Sequence, residues 1–126
     1  MTDRHTGLIW QRCSLPSVWS DGRCQSAAET MSLRKAREAA AELGDGWRLP
    51  TAVELMGLID ERCGTPLLDL RVFPDLVSDG EGGFRYWTDS PGEFAGMATF
   101  VDFGSGRADW HSSRTPLFVR LVKDRR

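Results

Sequence analysis

This sequence has little charge of either sign to spare, no long apolar run, two histidines and three cysteines. Each scarcity excludes something. Sixteen basic side chains against 18 acidic ones leave a formal net charge of -2, which gives no general pull toward nucleic acid or an anionic membrane. No apolar stretch approaches the ~20 residues that span a bilayer. Met1 runs directly into Thr2-Asp3-Arg4-His5 with no apolar signal region, so the chain as it stands is expected in the cytoplasm, and outside the cell if it is a segment of an exported protein. His5 sits in a short N-terminal stretch and His111 on an expected strand. Neither has a partner at metal-ligand spacing, so neither a metal site nor a cofactor is expected. A Gly-rich phosphate loop and a nucleophile elbow are also missing. The basic tail of Lys123, Arg125 and Arg126 reads as a solvated terminus.

What is present fits one compact domain over residues 1–126, a length that buries a substantial core. There is no repeat, linker or low-complexity tract. Residues 7–11 read as a short strand and residues 13–30 as a loop. Ser32 can cap a first helix with Leu33, Ala36, Ala40 and Leu43 on one face, stopped by Gly44. Thr51 and Glu54 have capping-box spacing: the Thr hydroxyl can accept from the Glu54 amide while the Glu54 carboxylate reaches back to the Thr51 amide. Pro50 fixes the entry of that second helix. It is expected to run to about Arg62, burying Leu55, Leu58 and Ile59, with Gly64 and Pro66 ending it. Strands follow at 84–88, 98–103, 107–112 and 117–123, with Gly104-Ser105-Gly106 as a hairpin signal. Helices first and antiparallel strands afterwards give an α+β class.

Cys13 and Cys24 flank a loop rich in Pro, Ser, Asp and Gly and are the natural pair. Bonded, they would stabilise by roughly 3 kcal/mol through loop closure; in a reducing cytosol they stay thiols. Cys63 follows an apolar stripe and reads as a small packed residue.

A set of motifs carries further information: Thr6-Gly7-Leu8-Ile9-Trp10-Gln11-Arg12-Cys13, Trp47-Arg48-Leu49-Pro50-Thr51 with Glu54-Leu55, Val72-Phe73-Pro74, Tyr86-Trp87-Thr88-Asp89-Ser90, Val101-Asp102-Phe103-Gly104-Ser105-Gly106 and Phe118-Val119-Arg120-Leu121-Val122. In this order and spacing they resemble the Lcl C-terminal domain, a family named for a Legionella collagen-like adhesin. The resemblance implies a fold similar to C-type lectins and the formylglycine-generating enzyme: two helices on a twisted antiparallel sheet, with the first and last strands adjacent so that Leu8–Trp10 lies near Val119–Val122. It fixes no activity, because that fold carries binders and enzymes alike. The oxidase of this fold uses a pair of active-site cysteines, and no matching pair stands in the C-terminal half of this chain. The calcium-dependent lectins use Glu-Pro-Asn or Gln-Pro-Asp and Trp-Asn-Asp motifs, from which Ser90-Pro91-Gly92-Glu93 and Ala108-Asp109-Trp110 depart.

The function expected is therefore non-catalytic recognition, most simply of a protein partner such as a toxin or effector that the chain neutralises. Trp10, Trp47 and Trp87 stand in the family-like motifs and read as core; Trp19 and Trp110 remain for the surface. By analogy with lectin-like folds, the late loops supply the ligand face: Glu93, Phe94, Arg107, Asp109, Trp110, His111 and Arg114. The competing reading puts Trp110 over the sheet edge and Phe94 in the core. An alternative function is sulfated-glycan binding, as in an adhesin, for which Arg107, Arg114 and Arg120 would have to converge. A remote one is oxidase chemistry. Carboxylates such as Asp60 and Glu61, or Asp102 and Asp109, read as solvated surface groups.

Overall fold

The computed structural model describes residues 2–3, 6–63, 68–75 and 83–124. The elements, in chain order, are β1 (Ile9–Trp10), β2 (Trp19–Ser20), β3 (Arg23–Cys24), α1 (Leu33–Leu43), α2 (Ala52–Met56), a 3-10 turn (Glu61–Cys63), β4 (Arg85–Pro91), β5 (Met97–Asp102), β6 (Arg107–Ser112) and β7 (Val122–Lys123). Strands β4, β5 and β6 form an antiparallel sheet in that order, β2 and β3 a small hairpin, and β1 pairs with β7 through Ile9–Lys123 and Trp10–Val122. The class is α+β, and the first and last strands are adjacent as the resemblance implied. Among the described residues no helix is long and apolar enough to cross a membrane. His5, Gly64 and Pro66 lie outside the described residues.

Helix α1 starts where the sequence places it. Ser32 accepts from the Lys35 amide at 3.3 Å, satisfying one of the donors a helix start leaves unpaired. Gly44, at φ 62°, donates its N–H to Ala40 and ends the helix. Leu33, Ala36 and Ala40 are buried against Trp87, Ala98, Phe100 and Leu117. Leu43 is not part of that face. As the last helical residue it is exposed and lines an open groove beside Leu15, Pro16 and Val18.

The capping box of α2 is complete: Glu54 N–H to Thr51 Oγ1 at 3.2 Å, and Thr51 N–H to Glu54 Oε1 at 2.8 Å. The same carboxylate takes Arg48 in a two-pronged ion pair at 2.8 Å on each side, and Arg48 also reaches Asp124 at 2.9 Å. The helix is much shorter than the sequence suggests. At Gly57 the N–H is shared between the Val53 and Glu54 carbonyls, and Leu58 and Ile59 then bond three residues back to Leu55 and Met56. That tighter winding, begun at a residue with poor helix propensity, ends α2 at Met56. Leu58 and Ile59 still pack on the second core cluster with Trp10, Tyr86, Val101 and Phe103.

The final strand also departs from expectation. Residues 117–122 are all buried, but they bond to several segments instead of one neighbour. Leu117 pairs with Met31, Phe118 donates to Arg85, Val119 accepts from Leu15, Leu121 accepts from Gln11, and Val122 exchanges bonds with Arg48. Only Val122–Lys123 counts as strand. This segment fills the space between the two core clusters and ties the helices, the sheet and the N-terminal segment together. Strand β4 runs on through Pro91, with a register break between Trp87 and Pro91. There Thr88 Oγ1 donates to the Thr99 carbonyl at 2.7 Å and accepts from Ser90 N–H at 3.1 Å, a local arrangement typical of a bulge.

Of the three tryptophans expected in the core, Trp10 and Trp87 are fully buried. Trp47 is only partly buried, packed at the margin of the first cluster with Lys123 Nζ 4.7 Å from its ring centroid. Cys13 and Cys24 are joined in a disulfide. Cys63 corrects an expectation: it is exposed, not packed, because the shortened α2 no longer directs residue 63 at the core.

Candidate functional site

The loop between β4 and β5 is drawn tight by main-chain bonds. Gly92 N–H donates to Met97 O at 3.0 Å, and Met97 N–H to Phe94 O at 3.1 Å. A side chain at residue 92 has no room: a Cβ there would lie 2.7 Å from Met97 Cβ and 3.1 Å from Trp110 Cβ. The close approach of Gly92 therefore sets the loop against the β5–β6 pair, where Trp110 stands opposite Thr99. Three large apolar side chains are left facing solvent at this end of the sheet: Phe94 is 62% exposed, Trp110 41% and Met97 37%. Glu93 is exposed beside them. Phe94 does not fill the core.

The other expected residues lie apart or serve the scaffold. Asp109 and His111 are exposed on β6, and each accepts from the amide that follows it, Trp110 N–H at 2.8 Å and Ser112 N–H at 2.9 Å. Arg107 begins β6 opposite Asp102, three residues from Trp110 and so about 10 Å along the strand. Arg114 opens onto a different groove, about 650 Å3, shared with Glu29, Lys35, Glu38 and Glu42 beside α1. Arg120 is fully buried. The convergence of Arg107, Arg114 and Arg120 that a sulfated glycan would need is therefore contradicted. Instead, Arg120 Nη2 binds Asp75 Oδ1 at 3.1 Å, Nη1 donates to the Gln11 carbonyl at 3.0 Å, and the guanidinium lies 4.6 Å from the Phe73 ring centroid. Ser14 joins this group, bonding both Asp75 and the buried Tyr86 hydroxyl. Burial raises the Tyr86 pKa above the ordinary phenol value, so it stays protonated as a hydrogen-bonding group.

Sequence reasoning missed Met97, whose exposure follows from its place at the strand mouth. A cleft around Trp19 was also missed. It measures about 420 Å3 and is walled by Trp10, Trp19, Trp47 and Val18. Arg12 stacks 3.8 Å from the Trp19 centroid and donates to the Val72 and Arg71 carbonyls. Nothing in the spacing of Arg12 and Trp19 announces that stack, which depends on the hairpin folding back. Among the described residues, Cys13, Cys24 and Asp75 come close enough to suggest metal ligands. The two sulfurs are bonded to each other, however, and Asp75 is taken by Ser14 and Arg120.

A model of the Lcl C-terminal domain matches residues 1–123. No curated protein matches the chain. With the match running over nearly all of its length, the chain belongs to the Lcl C-terminal domain family.

Proposed function

We propose that this domain is a non-catalytic recognition module, arranged like the C-type lectins and the formylglycine-generating enzyme, that binds a protein partner through the end of the sheet bearing Phe94, Met97 and Trp110. The observation that carries the reading is the exposure of these three side chains together on a loop and strand held rigid from behind. Aromatic side chains bring large contact area with few rotors, and they dominate interface energetics when a partner covers them. A partner that buried them would gain most of its affinity there, with Glu93 and Arg107 at the polar rim. The net charge of -2 suits a folded protein better than a polyanion. The partner class favoured is a toxin or effector that the chain neutralises.

The adhesin character of the family's namesake keeps sulfated glycan as the competing ligand, with Arg107 and Arg114 as its contacts. Against it stand the burial of Arg120 and the acidic surroundings of Arg114. Oxidase chemistry has no support beyond fold analogy. Binding of candidate protein partners to the parent chain and to Trp110→Ala tests the proposal: the variant should lose affinity and keep its fold.

A further inference from the structure

Among the described residues, strand β6 is the outer strand of its sheet, and five of its six residues are exposed. Such a strand turns a row of main-chain donors and acceptors outward, a ready template for another strand. The register identifies that row. Met97 stands opposite Ser112, and Ser113 N–H donates to Gly96 O at 2.9 Å, which makes Met97–Ser112 a pair without mutual hydrogen bonds. Alternation then points the main-chain groups of Ala108, Trp110 and Ser112 away from β5.

Two of these three outward donors are already taken, each by the side chain just before it. Trp110 N–H goes to Asp109 Oδ1, and Ser112 N–H to His111 Nδ1. Beyond the strand, Thr115 N–H takes the Ser112 carbonyl at 3.0 Å, and the Thr115 hydroxyl meets His111 Nδ1 at 2.7 Å. An imidazole accepting at Nδ1 carries its proton on Nε2, so the Thr115 hydroxyl donates. Exposed Asp and His side chains thus take two of the three donors that an added strand would need.

We propose that β6 is an edge closed to strand addition by Asp109 and His111, and that removing both caps converts it into a pairing site for a second copy of this chain. A second copy is the natural occupant because β6 against β6 about a two-fold axis is self-complementary and extends the same antiparallel sheet. The inference deepens the recognition reading: a partner at this end meets side chains, Phe94, Met97 and Trp110, and does not add a strand.

Residue-resolved amide exchange and sedimentation velocity test it without any partner, so its failure is distinct from failure of the recognition reading. In the parent, the Trp110 and Ser112 amides should exchange slowly despite lying on an edge. Asp109→Ala should accelerate Trp110 alone by up to about tenfold, the scale of one hydrogen bond, and His111→Ala should do the same for Ser112 alone. Asp109→Asn keeps an oxygen acceptor and should leave Trp110 slow. The double variant should sediment as a concentration-dependent dimer where the parent does not, with β5 amides still protected in both. Unchanged exchange at the two amides in the single variants, or a folded double variant that stays monomeric across the concentration range, would overturn the proposal.

Discussion

Arg120 and Asp75 form an ion pair in which the arginine has no solvent exposure and the carboxylate side chain keeps 11% of its own. The pair sits between Phe73 and Tyr86 and takes in Ser14, so it links the N-terminal segment, the region before β4 and the buried C-terminal stretch. Removing one partner leaves the other charge desolvated and unpaired. Arg120→Met or Asp75→Ala should each destabilise by about 3 to 5 kcal/mol. Chemical denaturation of the single variants and of Asp75→Leu/Arg120→Met checks this. The double variant should cost much less than the sum, because neither charge is stranded.

The Arg48–Glu54 pair gives the fold a pH dependence of defined sign. The Arg48 hydrogen bonds, assisted by the Thr51 amide, hold the Glu54 carboxyl below its ordinary range. In the unfolded chain Glu54 takes up its proton near a pH of about 4.3. Its stabilising contribution is therefore complete above that value and is lost as pH falls toward the lower folded value, where the unfolded state binds more protons. Melting temperature against pH should fall over that window in the parent. Glu54→Gln should flatten part of the fall.

Thiol chemistry separates the three cysteines. Native, non-reduced protein should present one titratable thiol, Cys63, which is exposed. Desolvation and the nearby Asp60 and Asp69 carboxylates raise its pKa, so alkylation should be slow at neutral pH and quicken in mild base. Reduction followed by denaturation should bring the count to three, because Cys13 is buried in the fold, and reduction should lower stability by about 2 to 4 kcal/mol. Three reactive thiols without reductant would contradict the Cys13–Cys24 bond.

The tryptophans are expected to differ in what they hold together. Trp87 is fully buried and donates its indole N–H to the Met31 carbonyl at 2.9 Å. Trp87→Ala should cost about 3 to 5 kcal/mol. Trp47→Ala should cost less, since that ring already meets solvent and Lys123. Denaturant melts of the two variants, run side by side, check the order.

These contrasts show which parts of the molecule were legible in the sequence. The Ser32 cap, the Thr51–Glu54 box and the β5–β6 hairpin depend on residues a few positions apart, and local chemistry settles them. The pairing of β1 with β7 spans the whole chain and came only through the family resemblance. The early end of α2 turns on how one amide, that of Gly57, divides itself between two carbonyls. The role of Arg120 was misread because a lone arginine in a strand-like run looks the same whether it faces solvent or a buried Asp75. Trp110 follows from elimination among the tryptophans and Phe94 from analogy with the late loops of lectin-like folds, and the structure leaves both exposed. Met97 stayed hidden because its exposure comes from standing first in β5, at the open end of the sheet, which the local sequence does not mark.

The measurement that bears most directly on the proposed function is the binding of a protein partner to the parent, Phe94→Ala, Trp110→Ala, Arg107→Ala and Arg114→Ala at low and high salt. The account predicts that Phe94→Ala and Trp110→Ala each lose about 2 kcal/mol or more of affinity with melting behaviour unchanged, while the arginine variants and added salt change little. Full affinity in both aromatic variants would contradict it. So would the reverse pattern, in which the arginine variants lose binding and salt weakens it steeply, because that is the behaviour of a sulfated-glycan site.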